Sequence, residues 1–440
     1  LSHEVALHST EGPGDFTPDP AFLKANPDLA GMVERSHEVS PLDADIVSRN
    51  LYPPRVADMT GRQNYLHAYG WEESGFPFEW ISDFNLSLQG MTVMSKHVRK
   101  VLIDNGLSVP VEVSSLGVDH WERVQPDHGY VLQAKSFRFL HVSSCFPRKG
   151  ADVMLRAYGK AFRARDNVTL VIKTFKNPHN EIHLWLQQAR EDEADFPDVQ
   201  IIEEDLTDAQ LKSLYGQCHV LVAPSRAEGF GLPMAEAMLS GLVVITTGWS
   251  GQVDFCTHDT AWLIDYAFAH AKSHFGLFSS VWAEPDEPHL TQLMRQVYET
   301  PEQARKMRAD AGRRLLLDQF TWAQAANRMV QSAATWSASI KQVKPNIGWI
   351  TTWNTKCGIA TYSEHLIRQM PEAVHVLGAR ADALQSPDDD HVTRCWDQGG
   401  QDMLESLAEA VEQHHLNVLV IQFNYGFFHF EHFARFVDQQ

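Results

Sequence analysis

The chain has 440 residues, 44% apolar and 21% charged, a globular profile too long for one ordinary domain. Its 37 Lys and Arg face 56 Asp and Glu, and the resulting charge of −19 argues against a broad nucleic-acid or anionic-lipid surface. Five scattered cysteines without a Cys-x-x-Cys pair argue against a disulfide framework or structural zinc and suit a reduced, cytoplasmic setting, and no apolar run approaches the ~20 residues of a membrane span.

Residues 1–134 mix short strands with helical patches. Residues 4–8 read as a strand entered without preamble, and Leu1 is not a natural initiator. The chain is therefore expected to be part of something longer, with targeting signals or contacts to the inner face of a membrane supplied by regions outside it. Turns are marked at 11–14 and 52–54. A buried strand over 90–95 leads to a helix over 96–105 that Gly106 stops, and another strand covers 109–116.

From residue 137 the alternation becomes regular. Strands are expected at 137–142, 168–172, 199–202, 219–223, 242–246 and 261–264, with helices at 151–163, 181–193, 207–215 and 232–240. Continuous apolar strands separated by helices predict a parallel sheet covered on both faces. Residues 289–336 read as two or three closing helices. A second start follows Pro345: a strand over 347–352, a turn over 354–358, a helix over 361–370 and a strong strand over 417–423. That region is expected to end without closing helices, and 386–390 reads as a surface loop.

The most informative segment is Pro224-Ser225-Arg226-Ala227-Glu228-Gly229-Phe230-Gly231-Leu232-Pro233-Met234-Ala235-Glu236. A buried strand empties into a glycine-broken turn, and Pro233 sits at the start of the next helix, where a missing N–H costs nothing. Such a junction offers unpaired N–H groups and a positive dipole end to a phosphate. The carboxylates of Glu228 and Glu236 bracket it, placed to grip hydroxyls on either side. A nucleotide-sugar has that shape.

This segment resembles the donor site of the retaining glycosyltransferases of sequence family 4. Their signature is two glutamates eight positions apart around a Gly-Phe-Gly-Leu-Pro turn. The resemblance spans roughly residues 1–337. It implies an α/β chain of the GT-B fold: an acceptor-side Rossmann-like domain (1–134, lacking its first strand) facing a nucleotide-sugar domain (135–338) across a cleft, with the helix over 320–336 crossing back to brace the first. Residues 345–440 resemble the opening of a second such enzyme, with Gly358 in its first glycine loop.

The same resemblance implies site residues. Lys149, in Arg148-Lys149-Gly150, would meet the diphosphate, with Arg148 beside it. The second arginine that members often carry after the preceding strand is replaced here by Ser143 or Ser144. Glu236 would hold the ribose hydroxyls. Glu228, with Ser225 and the N–H groups of Gly229, Phe230, Gly231 and Leu232, would position hexose and diphosphate, and Gly251 would wall the sugar side. His67 would face the cleft, with Tyr69 and Trp71 stacking a sugar. The implied reaction is retaining, metal-independent hexosyl transfer, with no cofactor. The donor would be GDP-mannose or a UDP-sugar, and the acceptor a saccharide or lipid-linked saccharide in bacterial polysaccharide synthesis. Two alternatives stay open: a GT-B sugar-nucleotide epimerase, and a degenerate saccharide-binding scaffold.

Other signals are weaker. His179 and His183 stand four apart on an expected helix but lack the glutamate of His-Glu-x-x-His. Asp388, Asp389 and Asp390 read as solvent-facing. No Gly-x-Gly-x-x-Gly follows a first strand, and no Gly-x-Ser-x-Gly or Walker lysine motif is present.

Overall fold

The computed structural model describes residues 4–9, 18–38, 40, 44–273, 275–339 and 345–440, so the turn expected at 11–14 lies outside the described residues. The chain forms two compact units, Leu1–Ser339 and Ile340–Gln440. Among the described residues no helix is long and apolar enough to cross a membrane.

The first unit begins with helices α1 (Pro20–Ala25) and α2 (Pro27–Arg35). A parallel sheet follows in the order β1-β2-β3-β4, built from β1 (Ile46–Arg49), β2 (Gln63–Tyr69), β3 (Gly90–Val93) and β4 (Val111–Val113), with α3 (Phe78–Ser87) and α4 (Lys96–Asp104) between strands. The Ser95 hydroxyl caps α4 by accepting from the Val98 N–H at 3.3 Å. Val98, Val101 and Leu102 form its buried face. Residues 4–8 are not a strand. Leu7 N–H donates to Met32 O (3.0 Å) and Arg35 Nε to Val5 O (2.8 Å), tying the segment to α2. Val5 and Leu7 stay exposed, so no sheet face rewards pairing there.

The second sheet comprises β5 (Phe137–Val142), β6 (Val168–Lys173), β7 (Asp198–Ile202), β8 (Val220–Ala223), β9 (Val243–Thr247) and β10 (Trp262–Ile264). Its helices are α5 (Ala151–Ala161), α6 (Ile182–Asp192), α7 (Asp208–Gly216) and α8 (Leu232–Leu239). Every pairing is parallel and the order is β10-β9-β8-β5-β6-β7. In units of its own strands this is 6-5-4-1-2-3, the dinucleotide-type winding whose direction reverses between the first and fourth strands. Those are β5 and β8, and two separate buried clusters cover the faces of this sheet.

A hairpin not anticipated from the sequence follows, β11 (Tyr266–His270) against β12 (Val281–Pro285). Its far end joins the first sheet's territory. Ser74 N–H donates to Val281 O (3.1 Å), Gly75 N–H to Ser280 Oγ (3.0 Å) and Val281 N–H to Ser74 Oγ (2.8 Å). Phe275 packs on Trp71, their ring centroids 4.8 Å apart. Helices α9 (Glu287–Glu299), α10 (Glu302–Gln319) and α11 (Trp322–Ser339) close the unit. Helix α11 crosses back to the first sheet: a Cβ on Gly90 would lie 2.5 Å from the Trp336 indole, and Ser337 Oγ donates to Gln63 Oε1 at 2.5 Å.

The second unit contains β13 (Ile347–Thr351), α12 (Gly358–Ile367), β14 (Val374–Ala379), β15 (Val392–Trp396), α13 (Glu405–Gln413), β16 (Val418–Ile421) and α14 (Phe430–Gln439). Its parallel order, β15-β14-β13-β16, repeats the 3-2-1-4 start of the second sheet. Two expectations need correction. A terminal helix, α14, is present and buries Phe436. Asp388 is not solvent-facing: its carboxylate accepts from Arg394 Nε at 2.7 Å and Asn354 Nδ2 at 3.1 Å.

Candidate active site at the β5–β8 switch point

Ligands of wound sheets bind beyond the carboxyl ends of the strands where the winding reverses. Here that place is bounded by the loop from β5 to α5, carrying Arg148 and Lys149, and the loop from β8 to α8, carrying Glu228. The two loops are bonded together: Arg226 N–H donates to Arg148 O (2.7 Å), and Arg148 Nη1 donates to Ala227 O (2.8 Å). Gly150 makes the approach feasible. Its φ is +68°, and a Cβ there would lie 2.1 Å from Pro224 O.

At the junction Lys149 Nζ donates to Glu228 Oε1 at 2.6 Å, and Ser225 Oγ donates to the same oxygen at 2.7 Å. Arg148 Nη1 lies 3.7 Å from Glu228 Oε2. Burial alone would raise the Glu228 pKa, but Lys149, Arg148 and the hydrogen bonds outweigh it and hold the carboxyl below its ordinary value. It is therefore an anion at neutral pH. Its backbone is equally fixed. Glu228 N–H donates to Ser250 Oγ (2.8 Å), and Gly251 N–H donates to Glu228 O (2.8 Å). Ser250 adopts φ +83°, a strained conformation for a residue with a Cβ, and Oγ donates onward to Gln252 Oε1. Gly231, at φ +98°, turns the chain into α8, and no side chain caps that helix.

Of the candidate residues, the fold gathers Arg148, Lys149, Ser225, Glu228, Gly229, Gly231 and Gly251 at this junction, and Leu232 opens α8. Phe230 contributes only its backbone. Its ring packs in the core against Phe255 (5.2 Å) and Phe320 (6.1 Å). Glu236 is one turn into α8, accepting from Tyr215 Oη at 3.0 Å through Oε2. His67 sits in β2 and bonds Ser48 Oγ of β1 at 2.8 Å. Tyr69 and Trp71 are each 2% exposed, so they are core residues and offer no face to a sugar. His179 precedes α6 instead of lying on it, and His183 lies 3.3 Å from Glu203.

Three contributors escaped sequence reasoning. Arg226, inside the motif, donates to Asp152 through two nitrogens (2.9 and 3.0 Å) and to Glu284 through two more bonds (2.7 and 2.6 Å), tying hairpin and α5 to the turn. His141 is fully buried in β5. Since Val222 O can only accept at 2.8 Å, Nδ1 carries the proton, and Nε2 accepts from Ser143 Oγ at 2.7 Å. Burial pushes its pKa down to about 4, so it is a neutral prop beneath Lys149 and Glu228. The third is Glu72, whose Oε1 lies 3.0 Å from Arg148 Nη2 across from the first sheet. A polar side chain within a mostly apolar strand was the available signal for His141, and the arginine between Ser225 and Glu228 was the signal for Arg226.

The Glu236 carboxyl is pushed up to about 7 from 4.5, chiefly by burial, against the hydrogen bond from Tyr215. A raised carboxyl pKa means the folded protein holds a proton that the unfolded chain releases. The associated stability is present below about pH 4.5 and is lost as pH rises through 7. The gap corresponds to about 3 kcal/mol. Glu236→Gln is therefore expected to gain melting temperature relative to wild type between pH 5 and pH 8. Parallel pH profiles of the two proteins would contradict this.

Residues 136–273, from β5 to the hairpin, match the family model described as Glycosyl transferases group 1. Over that stretch the chain is similar to the group 1 glycosyltransferases, and its fold is the GT-B fold. The chain is similar to the MMP α-(1→4)-mannosyltransferase of Mycolicibacterium hassiacum, 25% identical over 255 residues. That match covers 58% of this chain and 54% of the relative, so it spans about half of that curated protein. The fold is shared with a glycosyltransferase from Rickettsia africae (16% identity, TM-score 0.54, 74% of this chain and 84% of that one). It is shared equally with Anabaena Alr3699/HepE, solved with UDP and glucose (16% identity, TM-score 0.54, 72% and 84%).

Proposed function

We propose that the chain transfers a hexose from a nucleotide-sugar to a saccharide acceptor with retention of configuration and without a metal ion. The observation that carries this reading is the ionised Glu228 held beside Lys149 and Arg148 at the β5–β8 switch point. Glu228 and the uncapped start of α8 position hexose and diphosphate. Glu236 takes the ribose hydroxyls. Lys149 and Arg148 offset charge that grows on the leaving diphosphate, a task a metal ion performs elsewhere. The acceptor hydroxyl attacks from the face the diphosphate leaves, and a diphosphate oxygen takes its proton, as the family resemblance implies. A mannosyl donor is favoured by the relative named as a mannosyltransferase, and a UDP-sugar by the neighbour solved with UDP. The setting is cytoplasmic, in keeping with the cysteine pattern, and the acceptor is a growing or lipid-linked saccharide.

The test is a thermal-shift panel of GDP-, UDP-, dTDP- and ADP-sugars. A ligand at 100 times its Kd adds about 2.7 kcal/mol to the native state. GDP-mannose or a UDP-sugar is expected to raise the melting temperature. A panel in which no nucleotide-sugar does so would remove the reading.

A further inference from the structure

We propose that Glu72 is a built-in competitor for the donor's diphosphate, a carboxylate of the first sheet that occupies Arg148 in the empty site. The inference rests on the reading of that site as a diphosphate site. It begins from how the loop after β2 is held. Trp71 is buried and its indole N–H donates to Gly75 O at 2.7 Å. Glu73 is buried and accepts from the Ser280 hydroxyl. Between them the Glu72 carbonyl accepts from His97 Nε2 at 2.7 Å, and since a carbonyl cannot donate, the proton resides on that nitrogen. Burial lowers the His97 pKa and keeps the ring neutral. The backbone of Glu72 is thus pinned from both sides. Its side chain, 39% exposed, reaches Arg148 Nη2 at 3.0 Å.

Charge at the junction then decides the consequence. Lys149 and Arg148 supply two positive charges, and Glu228 and Glu72 supply two negative ones. These side-chain charges cancel while both carboxylates stay, so an arriving diphosphate is drawn by the start of α8 but less strongly than it would be with Arg148 free. Glu228 cannot leave, because Lys149, Ser225 and its own buried backbone hold it. Glu72 can. An ion pair of this exposure is weak, so a diphosphate outcompetes it while still losing affinity to it. Rotation of Glu72 away frees Nη2 of Arg148, the guanidinium nitrogen whose planar geometry suits a phosphate oxygen. Its return when the sugar has been transferred favours departure of the nucleoside diphosphate.

Titration calorimetry of GDP and UDP against the full chain, wild type and Glu72→Gln, tests the idea, with Glu72→Ala as a second variant. Both variants are expected to bind the preferred nucleoside diphosphate 3- to 10-fold more tightly at low ionic strength. The gain should shrink in 0.5 M salt, and in turnover assays product inhibition should strengthen by a similar factor. Equal or weaker binding by both variants, with wild type still binding GDP or UDP, overturns the competitor and leaves the donor site standing. No binding of either nucleotide by any of the three proteins overturns both.

Discussion

Lys149→Ala is expected to lower turnover by about two to three orders of magnitude, the loss typical when one fixed group that meets developing charge is deleted. The structure adds a complication that must be separated from catalysis. Lys149 is also the nearest counter-charge of a buried carboxylate, at 2.6 Å, and its removal leaves Glu228 with Ser225 and the more distant Arg148. Breaking a buried pair from one side costs about 3 kcal/mol. Lys149→Ala is therefore expected to melt earlier as well as turn over slowly. Adding Glu228→Gln removes the stranded charge, so the double variant regains melting temperature but no turnover. Recovery of turnover in the double variant, or unchanged turnover in the single one, would show that Lys149 acts only as a counter-ion.

Arg226→Met is the second large effect, and it falls on stability. The guanidinium is 8% exposed and satisfies Asp152, Glu284 and the Pro147 carbonyl together. Its loss leaves Asp152 with the more distant Arg156, at 3.5 Å, as its counter-charge among the described residues. A cost of about 3 to 5 kcal/mol is expected, read as a drop in melting temperature at pH 7. The pH profile carries a signature of its own. Burial pushes the Asp152 pKa up, but the Arg226 hydrogen bonds and charge outweigh it and hold it below the ordinary value. Such a group stabilises above the unfolded pKa, and that stability is lost as pH falls through the folded one. Without Arg226 that acid-side loss shrinks, so the deficit of the variant relative to wild type is expected to be largest near pH 7 and to narrow as pH falls. A variant whose melting temperature falls equally at all pH values would assign Arg226 a packing role alone.

The second sheet was legible because its central strands are largely buried on both faces and so read as mostly apolar runs: 137–142 coincides with β5, and 168–172 is one residue short of β6. The turn before α8 was legible because glycine and proline mark it. What escaped has a common cause, dependence on partners distant in the chain. Glu284 meets Arg226 across 58 residues, and Ser280 meets Glu73 across 207. Hairpin β11 shows no alternation of buried and exposed residues, since four of its five side chains face solvent. His67 drew notice as the histidine near a strand end, yet the side chain that reaches the second sheet from that loop is Glu72. Residues 4–8 had strand-like composition, but strand formation depends on a neighbour to pair with.

The hairpin follows the second sheet in sequence and is hydrogen-bonded to elements around both sheets. Any motion that parts the two sheets must unzip Ser74 from Val281 and Gly75 from Ser280, or carry the hairpin away from the Arg226 carbonyl that Ala283 N–H holds at 3.0 Å. A ligand that needed the cleft wider would have to select unzipped molecules, and its apparent affinity would fall by the fraction already in that state. At the proposed donor site, grip on a nucleotide-sugar would then be set partly by a ribbon that touches neither cation.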